Sequence, residues 1–283
     1  MSPKPESPIP NPGSRIAFIG GGNMARSLIG ALVRAGVAAQ TIAVAEPDDA
    51  LRNALVHDFG VATHALNADA AAGAGTIVIA VKPQVMRDVC AGLGAAIGEA
   101  KPLIVSIAAG IRLDQIEEWI DRALPIVRAM PNTPALIGAG ATGLIANALV
   151  DADGCARAES ILGAAGRTAW IGREELMDTV TALSGSGPAY FFLLVEALED
   201  AAVAQGLPRE TARMLASQTC LGAGRMLTEG GEAPAILRER VTSPGGTTAA
   251  ALGAFDEGGL RKLVATAIAA ATERGRELST RGG

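Results

Sequence analysis

Histidine is almost absent: the chain of 283 residues has two, His57 and His64. The commonest general acid and base therefore has little room here; the pair flanks a short strand-like run and reads as one surface helix end and one strand end. Aromatics make up only 3% and the net charge is -5. Nucleic-acid binding needs a positive footprint and stacking rings, and both are lacking. The three cysteines, Cys90, Cys155 and Cys220, form no CxxC pair, which speaks against a disulfide framework and a zinc knuckle and fits a reducing cytoplasm. No metal site is expected. No apolar run approaches the roughly 18 to 20 residues of a spanning helix, so neither a membrane span nor a membrane partner is expected. HExxH, paired-carboxylate and nucleophile-elbow patterns are also missing.

Short apolar, β-branched runs are abundant. From Arg15 to about Gly172 they alternate with helical stretches: RIAFIG, TIAVAE, TIVIAV, LIVSIA, PIVRAM, ATGLIA and TAWIG. Runs this apolar suit strands buried on both faces of a parallel sheet with crossover helices above and below. After Gly172 such runs cease and alanine- and leucine-rich helical stretches follow. Gly206 is placed to end one helix and Pro208 to begin the next. In the last stretch Leu260, Leu263, Val264, Ala267, Ile268 and Ala271 share one helical face. Several of these helices carry few charges, which predicts burial against another subunit. The predicted organisation is a proline-rich extended tail over 1–13, a Rossmann-like doubly wound α/β domain over 14–172 and an all-helical dimerisation domain over 173–283.

The first run leads into Gly20-x-Gly22-x-x-Ala25 and a helical stretch. Glycines there let the chain turn tightly and let backbone N–H groups approach a pyrophosphate, while Ala25 permits close helix packing. A plain βα turn is the competing reading. Glu46 ends the next strand, where a carboxylate accepts hydrogen bonds from adenosine ribose hydroxyls and repels a 2′-phosphate; that tilts the cofactor from NADPH toward NADH. The competing readings are a solvated loop acid and an Arg52 that turns to meet a phosphate. Lys82 and Pro83 stand at the carboxyl end of another strand, facing the same crevice. Lys82 reads equally as an anion contact and as an exposed lysine beside a turn.

Two loops in the helical half, SGSGPAY and SPGGTTAAAL, gather small residues at helix starts, where unpaired N–H groups and the helix dipole hold anions. Either loop alone reads first as ordinary capping and turn punctuation. Taken together, GGGNMA, AVKP, RAMPNTPALIGAGATGL, LSGSGPAYFF and SPGGTTAAL stand in the order and approximate spacing of the pyrroline-5-carboxylate reductases, and the chain resembles that family from about Arg15 to Leu278. The tail before Gly13 lies outside the resemblance.

The resemblance implies reduction of the cyclic imine L-1-pyrroline-5-carboxylate to L-proline by NADPH or NADH. It implies a homodimer with interlocked helical domains, often assembled into decamers. The cofactor would lie along Gly20, Gly22, Asn23, Met24 and Ala25, with Ala80, Lys82, Pro83, Ala108 and Ala109 toward its nicotinamide end and Asn132 shaping that pocket. The substrate carboxylate would rest in the Ser243 loop on N–H groups of Gly245, Gly246 and Thr247, leaving the Thr248 hydroxyl to the ring nitrogen. A hydroxyacid dehydrogenase of similar build would need a lysine at the start of the helical half, and TALSGSGPAYFF contains none.

Overall fold

The computed structural model describes residues 15–281; the proline-rich tail predicted over 1–13 lies outside them. In chain order the elements are β1 (Ile16–Ile19), α1 (Asn23–Arg34), β2 (Ile42–Ala45), α2 (Asp49–Phe59), β3 (Ala62–His64), α3 (Asn67–Ala71), β4 (Thr76–Ile79), α4 (Met86–Ala96), β5 (Leu103–Ser106), α5 (Leu113–Ile120), β6 (Ile126–Met130), β7 (Gly140–Ala146), α6 (Ala152–Gly163), β8 (Gly166–Trp170) and α7 (Met177–Val180). The helical remainder is α8 (Gly187–Ala204), α9 (Arg209–Glu229), α10 (Pro234–Arg240), α11 (Thr247–Glu257) and α12 (Leu260–Arg281).

The strands form one eight-stranded sheet in the order β3-β2-β1-β4-β5-β6-β7-β8. The first six are all parallel, which is the doubly wound order with its topological switch between β1 and β4. Their near-continuous apolar runs follow from burial on both faces. Ile16, Phe18, Ile42, Val44, Val78, Leu103 and Val105 enter one core, while Ala17, Ile19, Ala43, Ala45, Ile77, Ile79 and Ile104 enter the other. Helix α1 covers the first core with Ala25, Leu28, Ile29 and Leu32. It stops at Gly36, whose φ is +94°; there the Gly36 and Val37 N–H groups donate to the Val33 and Leu32 carbonyls in a Schellman ending.

Two of the predicted strands behave differently from buried parallel ones. β7 runs antiparallel to β6, because the link from Pro131 to Ala139 is too short for a crossover, which needs a dozen residues or more. β8 pairs parallel with β7 as the last strand of the sheet, and Arg167, Ala169 and Trp170 on it are exposed. An edge strand has a neighbour on one side only, so its β-branched and aromatic content does not imply burial.

The chain divides into two compact units: the described residues through Gly185 together with those from Ala271 onward, and Ser186–Ala270. The change in composition comes earlier, after Gly172, but α7 and a π-helical turn at Thr181–Gly185 stay with the sheet. A Cβ on Gly143 would lie 2.6 Å from Val180, and one on Gly185 would lie 2.6 Å from Met130, so missing side chains admit this segment. The end of α12 belongs to the same unit. Its Ser279 hydroxyl donates to Asp178 Oδ1 at 3.1 Å, with Gly275 seated against the Asp178 side chain.

In the second unit Gly206, with φ +98°, ends the turn after α8, and Pro208 caps α9. Glu199 on α8 accepts from Arg209 at 2.9 Å and from Arg213 at 3.0 Å, both on α9. The Arg213 and Arg209 guanidinium groups hold its carboxyl below the usual carboxylate range. Large apolar side chains remain bare along α8, with Phe192 68% and Leu193 66% exposed.

Arg128 on β6 is the largest fully buried side chain. Its Nη1 lies 2.6 Å from Glu174 Oε1, and that oxygen also accepts the Leu113 N–H at the start of α5 at 3.1 Å. Truncation of one partner leaves a buried charge uncompensated. Arg128→Ala should therefore cost about 3–5 kcal/mol in stability, read as a lowered urea midpoint; a loss well under about 1 kcal/mol would mean that water reaches Glu174 and replaces the pair.

Candidate cofactor and substrate elements

The β1–α1 turn assigns a separate task to each glycine. Gly20 has φ +98°, and a Cβ there would lie 2.7 Å from the Ala80 carbonyl oxygen at the end of β4. Gly21 is buried, and a Cβ there would lie 2.8 Å from Leu55 and 3.2 Å from Glu46 Cβ. Gly22 has nothing within 4 Å of a built Cβ; it is the N-cap of α1, with no side-chain cap and no acid in the first turn. The helix therefore presents bare N–H groups and its positive dipole end at the carboxyl edge of the sheet, which fits a pyrophosphate. Ala25 is buried beneath, Met24 packs on the core and Asn23 is exposed.

Glu46 follows β2 and is 9% exposed. Its Oε2 accepts the Gly21 N–H at 2.9 Å and its Oε1 the Asp48 N–H at 3.1 Å. Arg52 Nη1 donates to the Glu46 and Pro47 carbonyls at 2.7 and 2.9 Å, and its Nη2 pairs with Asp49. Asp48 caps α2 by accepting the Leu51 N–H at 2.9 Å. The sequence shows Glu46 as a strand-end acid but not this bracing of the glycine turn, because Gly21 sits at the unspecified position of the motif, 25 residues before its partner.

At the ends of β4 and β5, Ala80 donates its N–H to Ile19 O at 2.8 Å and Ala108 is buried. Lys82 and Ala109 are exposed, and Pro83 opens a 3₁₀ turn. A cavity of about 640 Å³ opens here, lined by residues including Pro83, Gln84, Ala109, Asp178 and Thr181. Asn132 donates from Nδ2 to Ser184 O and accepts the Ala141 N–H at Oδ1, both at 2.9 Å. Both ends of its amide are thus engaged in bracing the β6–β7 corner against the Thr181–Gly185 turn. His57 is exposed on α2 with Nδ1 2.8 Å from Asp58. His64 ends β3, the outer strand.

In the second unit, Ser243 to Gly246 form a β-turn closed by the Gly246 N–H donating to Ser243 O at 3.0 Å. Pro244 at the second position and Gly245 at φ +69° at the third are the signature of type II. Gly246 is the N-cap of α11, which has no side-chain cap and no acid in its first turn. Because the Gly246 N–H closes the turn, the donors presented by this loop are those of Gly245, Thr247 and Thr248. Thr247 is exposed and Thr248 half-buried.

Comparison with known proteins decides what these elements belong to. The family model for pyrroline-5-carboxylate reductase dimerisation matches residues 174–278, and that for coenzyme F420-dependent NADP oxidoreductase matches residues 15–110. A pyrroline-5-carboxylate reductase of Pseudomonas aeruginosa is 49% identical over 265 residues, spanning 94% of this chain and 97% of that one. The chain belongs to the pyrroline-5-carboxylate reductase family. It is a nicotinamide-dependent oxidoreductase with a Rossmann half. Among solved structures, the family member of Coxiella burnetii matches with a TM-score of 0.92 at 44% identity, covering 94% of this chain and 98% of that one. The Plasmodium falciparum pyrroline carboxylate reductase with NADP bound matches with a TM-score of 0.81 at 28% identity, again covering 94% and 98%. The NADP oxidoreductase model takes in Gly20 to Ala25, Glu46, Lys82, Pro83, Ala108 and Ala109. The dimerisation model takes in Ser243 to Thr248. Asn132 falls between the two.

Gly20→Ala would force a methyl group toward a backbone carbonyl and strain a left-handed φ. NAD(P)H affinity of the folded variant should fall roughly 5- to 150-fold, as a strain of 1–3 kcal/mol implies; unchanged affinity in a fluorescence titration would refute the role given to this turn.

Proposed function

We propose that the chain reduces L-1-pyrroline-5-carboxylate to L-proline with NADH or NADPH as the reductant. The observation that carries this reading is the uncapped start of α11 behind the type II turn, in a chain of this family. Its free N–H groups and dipole suit one small carboxylate, and Thr248 stands in the first turn beside them. The bound nicotinamide supplies a hydride to the imine carbon. The ring nitrogen ends with the proton of the amine, and the Thr248 hydroxyl hydrogen-bonds that nitrogen. A protonated imine is already electrophilic, so the chain's task is orientation more than strong acid or base chemistry. Gly20, Gly22, Asn23, Met24 and Ala25 hold the pyrophosphate, while Ala80, Lys82, Pro83, Ala108 and Ala109 flank the nicotinamide. Asn132 keeps that corner in shape through Ser184 and Ala141.

The minimal assembly is a homodimer, and a decamer is the higher form to test for. The exposed apolar face of α8, with Phe192 and Leu193, supports association through the region matched as dimerisation. The protein works in a reducing cytoplasm: all three cysteines are unpaired, and burial pushes the Cys90 thiol up to about 12, leaving it inert.

Thr248→Val keeps the shape and removes the hydroxyl. Turnover with pyrroline-5-carboxylate should drop on the order of 10²-fold, the scale for a misplaced reacting group, and wild-type turnover in the folded variant would sink the assignment. Sedimentation of the native protein should give the dimer mass or a multiple of it, and Phe192→Asp should shift it toward monomer. A monomeric native protein would contradict the assembly.

A further inference from the structure

NADH and NADPH differ only by a phosphate on the 2′-oxygen of the adenosine ribose, which in a doubly wound sheet lies at the carboxyl end of β2. A chain that takes NADPH there must offer that dianion a cation or free N–H groups. The two helix starts along this edge are built in opposite ways. At α1 the N-cap is the bare Gly22, without a capping side chain or an acid in the first turn. At α2 the N-cap is Asp48, whose own carboxylate occupies the Leu51 N–H, and Asp49 follows in the first turn. One start is open to a phosphate; the other is filled by the protein's own anion.

The side chains around the β2–α2 loop repeat the pattern. Glu46, Asp48 and Asp49 stand against the single cation Arg52, three carboxylates to one guanidinium. Glu46 cannot swing aside without releasing two backbone N–H groups, those of Gly21 and Asp48. Each of its oxygens has a second lone pair left for a ribose hydroxyl. Arg52 is not poised as a phosphate ligand: Nη1 is held by the carbonyls of Glu46 and Pro47, and Nη2 is paired with Asp49.

We infer that this reductase selects NADH over NADPH, with the twice-anchored Glu46 reading the ribose and Asp49 withholding Arg52, the cation of the β2–α2 loop, from a 2′-phosphate. The inference rests on the nicotinamide-dependent reading above and deepens it at the adenosine end.

Its test measures binding, without the imine. Full-length protein is titrated with NADH and with NADPH at one fixed salt concentration, following nucleotide fluorescence. NADH should bind about 10-fold or more tightly, equivalent to about 1.4 kcal/mol. Glu46→Gln removes the charge and keeps one acceptor, and should move the ratio toward NADPH by at least about 5-fold. Asp49→Ala is independent of the glycine turn; by releasing Arg52 it should tighten NADPH and leave NADH unchanged. Equal or tighter NADPH binding by the native chain overturns the inference, and so does a ratio that neither variant moves. Binding of neither nucleotide sinks the dinucleotide reading as well. Tight NADH binding with no oxidation on adding pyrroline-5-carboxylate sinks the proposed reaction alone and leaves the selectivity standing.

Discussion

The close approach of the β1–α1 turn to the end of β4 is the constraint on which the cofactor half depends. Gly20 reaches the Ala80 carbonyl at a distance that no Cβ tolerates. That approach lets α1 begin beside the switch between β1 and β4, with the positive end of its dipole at the carboxyl edge of the sheet. Gly21 then fits against Leu55 and Glu46, so α2 and the β2 end are locked to the same turn. Gly22 is left with open space. Three adjacent residues of one type thus serve a backbone conformation, a packing contact and an access route.

Most of the sheet was legible because burial on both faces erases the polar alternation that a half-exposed strand would show. β1, β2, β4, β5 and β6 therefore stood out as continuous apolar runs. Strand direction was not legible for β7, since direction depends on what the connection allows and not on the run itself. The exposure of β8 was hidden for a related reason: strand propensity measures fit to a pleated surface, not the presence of a neighbour. The burial of Arg128 within PIVRAM was not legible, because its counter-ion, Glu174, lies 46 positions away. The same distance problem hid the inner role of Glu46. Its place after β2 is a sequence fact, whereas its hold on Gly21 exists only once β1 and β2 are paired.

The helical half obeys different physics. α8 is not a stripe of apolar residues over a polar back; it carries bare Phe191, Phe192, Leu193 and Leu194 in succession. A helix with apolar side chains on several faces is stable when covered on more than one side. Within one chain α9 covers only part of α8, and the Glu199 cluster with Arg209 and Arg213 fixes how the two helices meet. What remains uncovered has the character of half an obligate interface.

The scarcity of histidine fits the chemistry that this framework suits. Reactions that must pull a proton from carbon or activate water need a group titrating near neutrality, and the two histidines stand on the surface of α2 and at the end of an outer strand. Hydride addition to an iminium carbon asks for less. It needs a held carboxylate, a held diphosphate and one hydroxyl near the nitrogen. In the proposed reading, backbone N–H groups at two uncapped helix starts, Gly22 on α1 and Gly246 on α11, would meet the first two needs without any ionisable side chain. Fixed dipoles of this kind keep their charge across the pH range and cost no reorganisation during the reaction.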